Sequence, residues 1–232
     1  MPMSRRGFLG YAAGVSAAGL AGASRWTHSF PTNLSNLSGC ALVDPGPSCT
    51  LRESAAGYES AFLSADAHYE RASFQLLPPA RLIVLPAAGF LDESRLARLR
   101  AHLENGSVVL YESGAAFLNP EDFNFHRRLM RSVFGLSLHA PVRLWDSADS
   151  FKQSPYVDYC WPVVTKVRDF SRIIPVECER GETLAWFQKM PVAVKRRIGK
   201  GTLVFLGSPL GPHLLAGDRE ASGWLSAFRS IC

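Results

Sequence analysis

Three short, almost wholly apolar runs constrain this chain most: Arg81-Leu82-Ile83-Val84-Leu85, Ser107-Val108-Val109-Leu110-Tyr111 and Thr202-Leu203-Val204-Phe205-Leu206. Each is short for a helix. None alternates apolar with polar residues as a strand with one wet face does. Strands buried on both faces need cover above and below, which means helices on both sides of a largely parallel sheet. The flanking residues agree. Pro86-Ala87-Ala88-Gly89 stops the first run, Asp92 opens a helix with Leu96, Leu99 and Leu103 on one face, and Asn105-Gly106 closes it.

The same reading extends along the chain. Cys40-Ala41-Leu42-Val43-Asp44 is a short buried strand broken by Pro45-Gly46-Pro47, and Thr50 with Glu53 makes a capping box for a helix to about Leu63. Ser73-Phe74-Gln75-Leu76-Leu77 is the expected second strand, so the order is β-α-β-β-α-β. Residues 121–135 are expected to be helical, Leu136–Leu144 has strand character, and 145–181 is less regular. Thr183–Phe187 and Val192–Arg197 read as a late β-hairpin turning near Lys189–Pro191. A last helix places Ala221, Trp224, Leu225 and Phe228 on an apolar face. A chain of 232 residues is enough for one well-buried domain.

The amino terminus follows a different logic. Met1-Pro2-Met3-Ser4-Arg5-Arg6-Gly7-Phe8-Leu9-Gly10 precedes an uncharged Ala/Gly-rich stretch from Tyr11 to Ala23, and Ala21-Gly22-Ala23 offers small residues for a signal peptidase. Ser4-Arg5-Arg6-Gly7-Phe8-Leu9 resembles the twin-arginine export signal, with Gly10 where that pattern usually has lysine. The resemblance implies a periplasmic or extracellular protein that meets the twin-arginine machinery and has no stable membrane span once mature. Three segments are expected: 1–23 as the signal, 24–38 as an arm or linker, and 39–232 as the domain. Losing Arg5 and Arg6 lowers the formal charge from +5 to +3. Much of the basic excess is therefore targeting, which weakens the case for a polyanion partner.

Several function classes are excluded. Lys195-Arg196-Arg197 is flanked by Val194 and Ile198 and stands apart from any larger basic block, so no nucleic-acid partner is expected. Gly199-Lys200-Gly201 is too short for a phosphate loop, and no dinucleotide or metalloprotease motif occurs. The cysteines are Cys40, Cys49, Cys160, Cys178 and Cys232, with no CxxC spacing, so no metal site and no cofactor are expected. Cys40–Cys49 and Cys160–Cys178 are candidate disulfides. Cys49, lying before a helix, is also a candidate reactive thiol.

Leu82-Ile83-Val84-Leu85-Pro86-Ala87-Ala88-Gly89, the helix, and Asn105-Gly106-Ser107-Val108-Val109-Leu110-Tyr111-Glu112-Ser113-Gly114 together resemble a class I glutamine amidotransferase-like (flavodoxin-like) domain. The style is that of its non-amidotransferase members, such as the trimerisation domain of certain β-galactosidases. Pro191-Val192-Ala193-Val194 through Gly207 is similar to their late hairpin and last strand. The resemblance spans about residues 40–230. It implies a mostly parallel α/β sheet and a cysteine at the strand-to-helix elbow of the true enzymes. Glu112 stands at that elbow, and Leu215 replaces the glutamate expected two residues after His213. Thiolate chemistry on glutamine is therefore not expected here.

Polar groups cluster at the ends of the proposed parallel strands, where open α/β sheets bind ligands. Asp44, Glu112, Ser113 and His213 are the candidates. Glu112 has two readings: an acid/base group working with His213, with or without Asp44 or a metal, in a hydrolase, or a carboxylate that caps a following helix or pairs with an arginine. Pro155-Tyr156-Val157-Asp158-Tyr159-Cys160-Trp161-Pro162 concentrates aromatics, with Tyr156 and Trp161 as candidates for a carbohydrate platform or a subunit contact. The leading expectation is an exported binding or assembly module of the cell envelope, with carbohydrate or a protein partner (a second copy included) as what it binds. The hydrolase is the alternative.

Overall fold

The computed structural model describes residues 37, 39–44, 46, 51–89, 91–113, 120–144, 155–169, 172–217 and 222–232. The expected export signal at 1–23, nearly all of the expected 24–38 arm, Cys49, Thr50 and Ala221 lie outside the described residues.

The first half follows the expected β-α-β-β-α-β order: β1 (Cys40–Val43), α1 (Arg52–Ser64), β2 (Tyr69–Ala72), β3 (Leu82–Ala88), α2 (Glu93–Glu104) and β4 (Val108–Ser113). Then come α3 (Pro120–Phe134) and six short strands: β5 (Ser137–Leu138), β6 (Val142–Arg143), β7 (Tyr156–Tyr159), β8 (Thr165–Arg168), β9 (Arg172–Ile173) and β10 (Val176–Glu177). The chain continues through β11 (Glu182–Phe187), β12 (Met190–Ile198), β13 (Gly201–Leu206), α4 (Gly211–Ala216) and α5 (Ser222–Ile231). Nine strands form one sheet in the order β2-β1-β3-β4-β13-β12-β11-β7-β8. The first five are parallel and the remaining pairings are antiparallel. The parallel half has the 2-1-3-4-5 strand order of a doubly wound sheet.

Strand alternation explains the apolar runs. Leu42, Leu82, Val84, Val108 and Leu110 point to one face, where Tyr58 and Phe62 of α1 and Trp224 and Phe228 of α5 cover them. Val43, Ile83, Leu85, Val109 and Tyr111 point to the other, under Leu96, Leu99 and Leu103 of α2 and Met130 and Phe134 of α3. Every second residue changes face, and both faces are dry. The Asp92 side chain accepts from the Arg95 backbone N–H at 2.8 Å, so the expected cap of α2 is in place. Gly106 takes the positive φ, 112°, that releases the chain from that helix.

Four local expectations are corrected. The second strand is Tyr69–Ala72, not Ser73–Leu77. It lies at the sheet edge, where one buried residue, Ala72, suffices and an apolar run is not needed. Phe74 instead sits in a turn, with the Arg95 guanidinium 5.4 Å from its ring centroid. The N-cap of α1 is Leu51, one residue beyond the expected Thr50, and makes no side-chain cap hydrogen bond. The irregular 145–181 region contributes β7 and β8, which extend the sheet as an antiparallel hairpin.

Fourth, the disulfide joins Cys40 to Cys232, with Cα atoms 5.8 Å apart, while Cys160 and Cys178 are free thiols. Chain spacing favoured nearer partners, but the fold lays the end of α5 against the start of β1. No helix among the described residues is long and apolar enough to cross a membrane.

Candidate functional site

Parallel pairing brings Asp44, the end of β3 at Ala88, Glu112-Ser113 and the residues from Gly207 into the start of α4 to one edge of the sheet; β3 runs on through Pro86 to Ala88, where a stop was expected, and α4 begins inside the expected 207–213 loop. What lies there is a seal. Glu112, the last but one residue of β4, is 0 % exposed. Its Oε1 accepts from Ser54 Oγ at 2.5 Å. Its Oε2 accepts from the Tyr58 hydroxyl at 2.6 Å and from the backbone N–H groups of Leu210 and Gly211 at 3.2 and 3.0 Å.

Each donor has a reason to be there. Ser54, Gly57, Tyr58, Ala61 and Phe62 recur at helical spacing and form the buried face of α1. Leu210 and Gly211 open α4, whose N-cap position, Leu210, has no side-chain cap of its own. The carboxylate from β4 therefore caps this helix from a distance and places a negative charge at its positive end. The contact demands close backbone approach. A Cβ on Gly57 would lie 1.8 Å from the Gly211 carbonyl oxygen, and a Cβ on Gly211 would lie 2.3 Å from Ser54 Cα. Glycine at both positions lets α1 and α4 meet.

Burial pushes the Glu112 carboxyl above its ordinary range, while the four donors pull it back. The same burial, with the Glu112 charge beside it, holds the Tyr58 phenol well above the usual tyrosine range. Neither oxygen of Glu112 opens to solvent, and all of its contacts are protein donors. The arrangement locks β4, α1 and α4 together. The second reading of Glu112, a helix cap, is the one the geometry favours. The capped helix is α4 rather than α3.

The other candidates differ in burial and partners. Ser113 is buried with no hydrogen-bond partner for its Oγ among the described residues. His213 is half-buried on α4, two residues beyond Gly211. Asp44 is exposed and accepts from the Gly46 N–H at 2.8 Å, two strands away from β4 in the sheet order. Trp161 was expected at a ligand or partner surface. It is instead 5 % exposed and packs edge-on against Trp224, with ring centroids 5.2 Å apart. Tyr156 is 39 % exposed and lines a cleft of about 510 Å³ on the antiparallel half. The described residues contain no cluster of three or more side chains suited to a metal ion.

Sequence reasoning missed Ser54, Gly57, Tyr58 and Gly211. The available signal was Ser54-x-x-Gly57-Tyr58, a small-polar, glycine, aromatic triplet on the apolar face of a helix. A helix-weakening glycine on a buried face marks close packing.

No protein-family model matches the sequence, and no curated protein does. Solved structures do share its shape. The β-galactosidase from Bacillus circulans sp. alkalophilus superposes with a TM-score of 0.59 at 14% identity, covering 84% of this chain and 31% of that one. The β-galactosidase from Rahnella sp. R3 gives 0.62 at 15%, covering 83% and 31%. A cytoplasmic protein from Salmonella typhimurium LT2 gives 0.57 at 15%, covering 76% and 86%. The chain thus spans about a third of the length of the two β-galactosidases and most of the length of the Salmonella protein. At these identities the likeness is one of fold: the chain shares an α/β architecture that occurs both as a part of β-galactosidase chains and as nearly the whole of a shorter protein.

Proposed function

We propose that this chain is an exported, carbohydrate-related binding or assembly module with an amidotransferase-like fold and no amidotransferase chemistry. One observation supports the reading: Glu112, which the resemblance puts at the elbow where such enzymes hold a nucleophile, is sealed by Ser54, Tyr58 and two helix amides. Among the described residues the free thiols, Cys160 and Cys178, lie on the strand-rich half of the chain, away from that elbow in sequence. The β-galactosidases among the fold neighbours support carbohydrate as the ligand class. The Cys40–Cys232 disulfide suits an oxidising compartment and agrees with the twin-arginine pattern at Arg5-Arg6.

The test is a glycan array probed with purified wild type and with Glu112→Gln, together with hydrolysis assays on any glycan captured. Equal capture by both proteins without hydrolysis is the expected result. Hydrolysis by the wild type that Glu112→Gln abolishes, while the fold persists, would establish the hydrolase instead. Export is checked separately by changing Arg5 and Arg6 to lysine, which should retain the protein in the cytoplasm.

A further inference from the structure

The cleft beside Tyr156 lies on the antiparallel half, away from the Glu112 seal. Tyr156 and Asp158 alternate on β7 with Val157 and Tyr159, which are buried in the core. Across the hairpin, Tyr156 pairs with Arg168 and Asp158 with Lys166. Asp158 Oδ1 and Lys166 Nζ are 2.9 Å apart. The Arg168 guanidinium lies 5.6 Å from the Tyr156 ring centroid, where the cation steadies the ring. Phe187, Gln188 and Met190, from the end of β11 through the turn into β12, form another wall, and Val142 to Leu144 complete the lining.

A second, independent observation marks the same cleft. Phe187 pairs with Met190, so Gln188 and Lys189 are a two-residue hairpin turn. Gln188 has φ 57°, whereas Lys189 is not among the residues of positive φ. Positive φ at only the first central residue is the pattern of a II′ turn, whose preferred residue there is glycine. A glutamine held in this conformation is locally unfavourable. Such strain concentrates where a side chain is needed at a ligand.

We infer that this cleft is a saccharide subsite, an inference that rests on the carbohydrate reading above. A sugar ring presents an apolar C–H face and a rim of hydroxyls that both donate and accept. Tyr156 and Phe187 supply flat apolar contact. Asp158 accepts, Lys166 and Arg143 donate, and the Gln188 amide does both. The volume falls within the ordinary range of small-ligand sites. A carboxylate among the cations disfavours a polyanion and suits neutral hydroxyls.

The experiment measures binding of cellotriose, β-1,4-galactotriose and tri-galacturonate to the wild type, Tyr156→Ala and Gln188→Gly by calorimetry, with thermal midpoints recorded for each. At least one trisaccharide should bind the wild type, and each substitution should weaken it by about tenfold or more. Gln188→Gly should meanwhile match or exceed the wild-type thermal midpoint, because glycine relieves the turn. Loss of binding without loss of stability separates a ligand role from a structural one. Trisaccharide or array binding that survives both substitutions overturns the cleft and leaves the carbohydrate reading standing. Absence of binding to the trisaccharides and to the array removes both.

Discussion

Replacing Glu112 with alanine tests the seal directly. The substitution removes one acceptor group and strands four donors in a dry site: Ser54 Oγ, the Tyr58 hydroxyl and the N–H groups of Leu210 and Gly211. A buried unsatisfied group costs about 1–3 kcal/mol. The two hydroxyls can rotate, and a water can enter the vacated space and recover part of the loss. We expect a net destabilisation of about 3–5 kcal/mol, a large share of an ordinary domain's 5–15 kcal/mol. Glutamine is the informative comparison. Its carbonyl oxygen can keep the two amides and Tyr58, while its NH2 faces a Ser54 oxygen that can turn to accept. It also relieves the burial of a charge, so Glu112→Gln should cost about 1 kcal/mol or less.

The pH dependence carries a sign. The folded carboxyl is held above its ordinary range, so the native state binds the extra proton. The associated stability is full below about pH 4.5 and is lost as pH rises through the folded value. The glutamine variant should therefore gain on the wild type as pH increases. Urea unfolding followed by tryptophan fluorescence, with Trp224 and Trp161 both in the core, measures each quantity. An alanine variant within 1 kcal/mol of wild type, or a glutamine variant as damaged as alanine, would refute the seal.

Three further outcomes follow from other parts of the fold. Gly57→Ala gains helix propensity but drives its Cβ into the Gly211 carbonyl, so the thermal midpoint should fall by about 5–10 °C; an unchanged midpoint would mean that α1 and α4 are not in contact. Reducing Cys40–Cys232, which closes a sequence separation of 192 residues, should cost up to about 5 kcal/mol by chain entropy. Denaturation with and without reductant measures this cost, and disulfide mapping that returns another pair would refute the link. His126 is buried and its pKa is pushed down to about 4, so the native state resists protonation. Stability is full above about pH 6.5 and falls towards pH 4 by about 3 kcal/mol. His126→Phe, beside Tyr111, should flatten that limb of the pH–stability curve.

The elements legible in the sequence are those whose cause is local. The strands β3 and β4 announce themselves because both faces are buried, and α2 because Asp92 and Leu96, Leu99 and Leu103 repeat at helical spacing. Glu112 was legible as a position, with helix capping as one of its two readings, but its partners were not. Its partners lie 58, 54, 98 and 99 residues away, and no spacing rule links a strand-end carboxylate to a helix face and another helix's amides. The aromatic segment divided for a similar reason. Tyr156 and Trp161 look alike in sequence, yet β7 turns Tyr156 outward and Trp224 draws Trp161 into the core.

This division bears on function. Helices cover both faces of the parallel strands, and Glu112 closes the end of β4 against α1 and α4. The proposed cleft lies instead on strands that keep one wet face. Among the described residues the β7–β8 hairpin does so, with Tyr156, Lys166 and Arg168 exposed and Val157, Tyr159 and Val167 buried. The cleft therefore lies where alternation survives, on the other half of the sheet from the apolar runs that identify the fold.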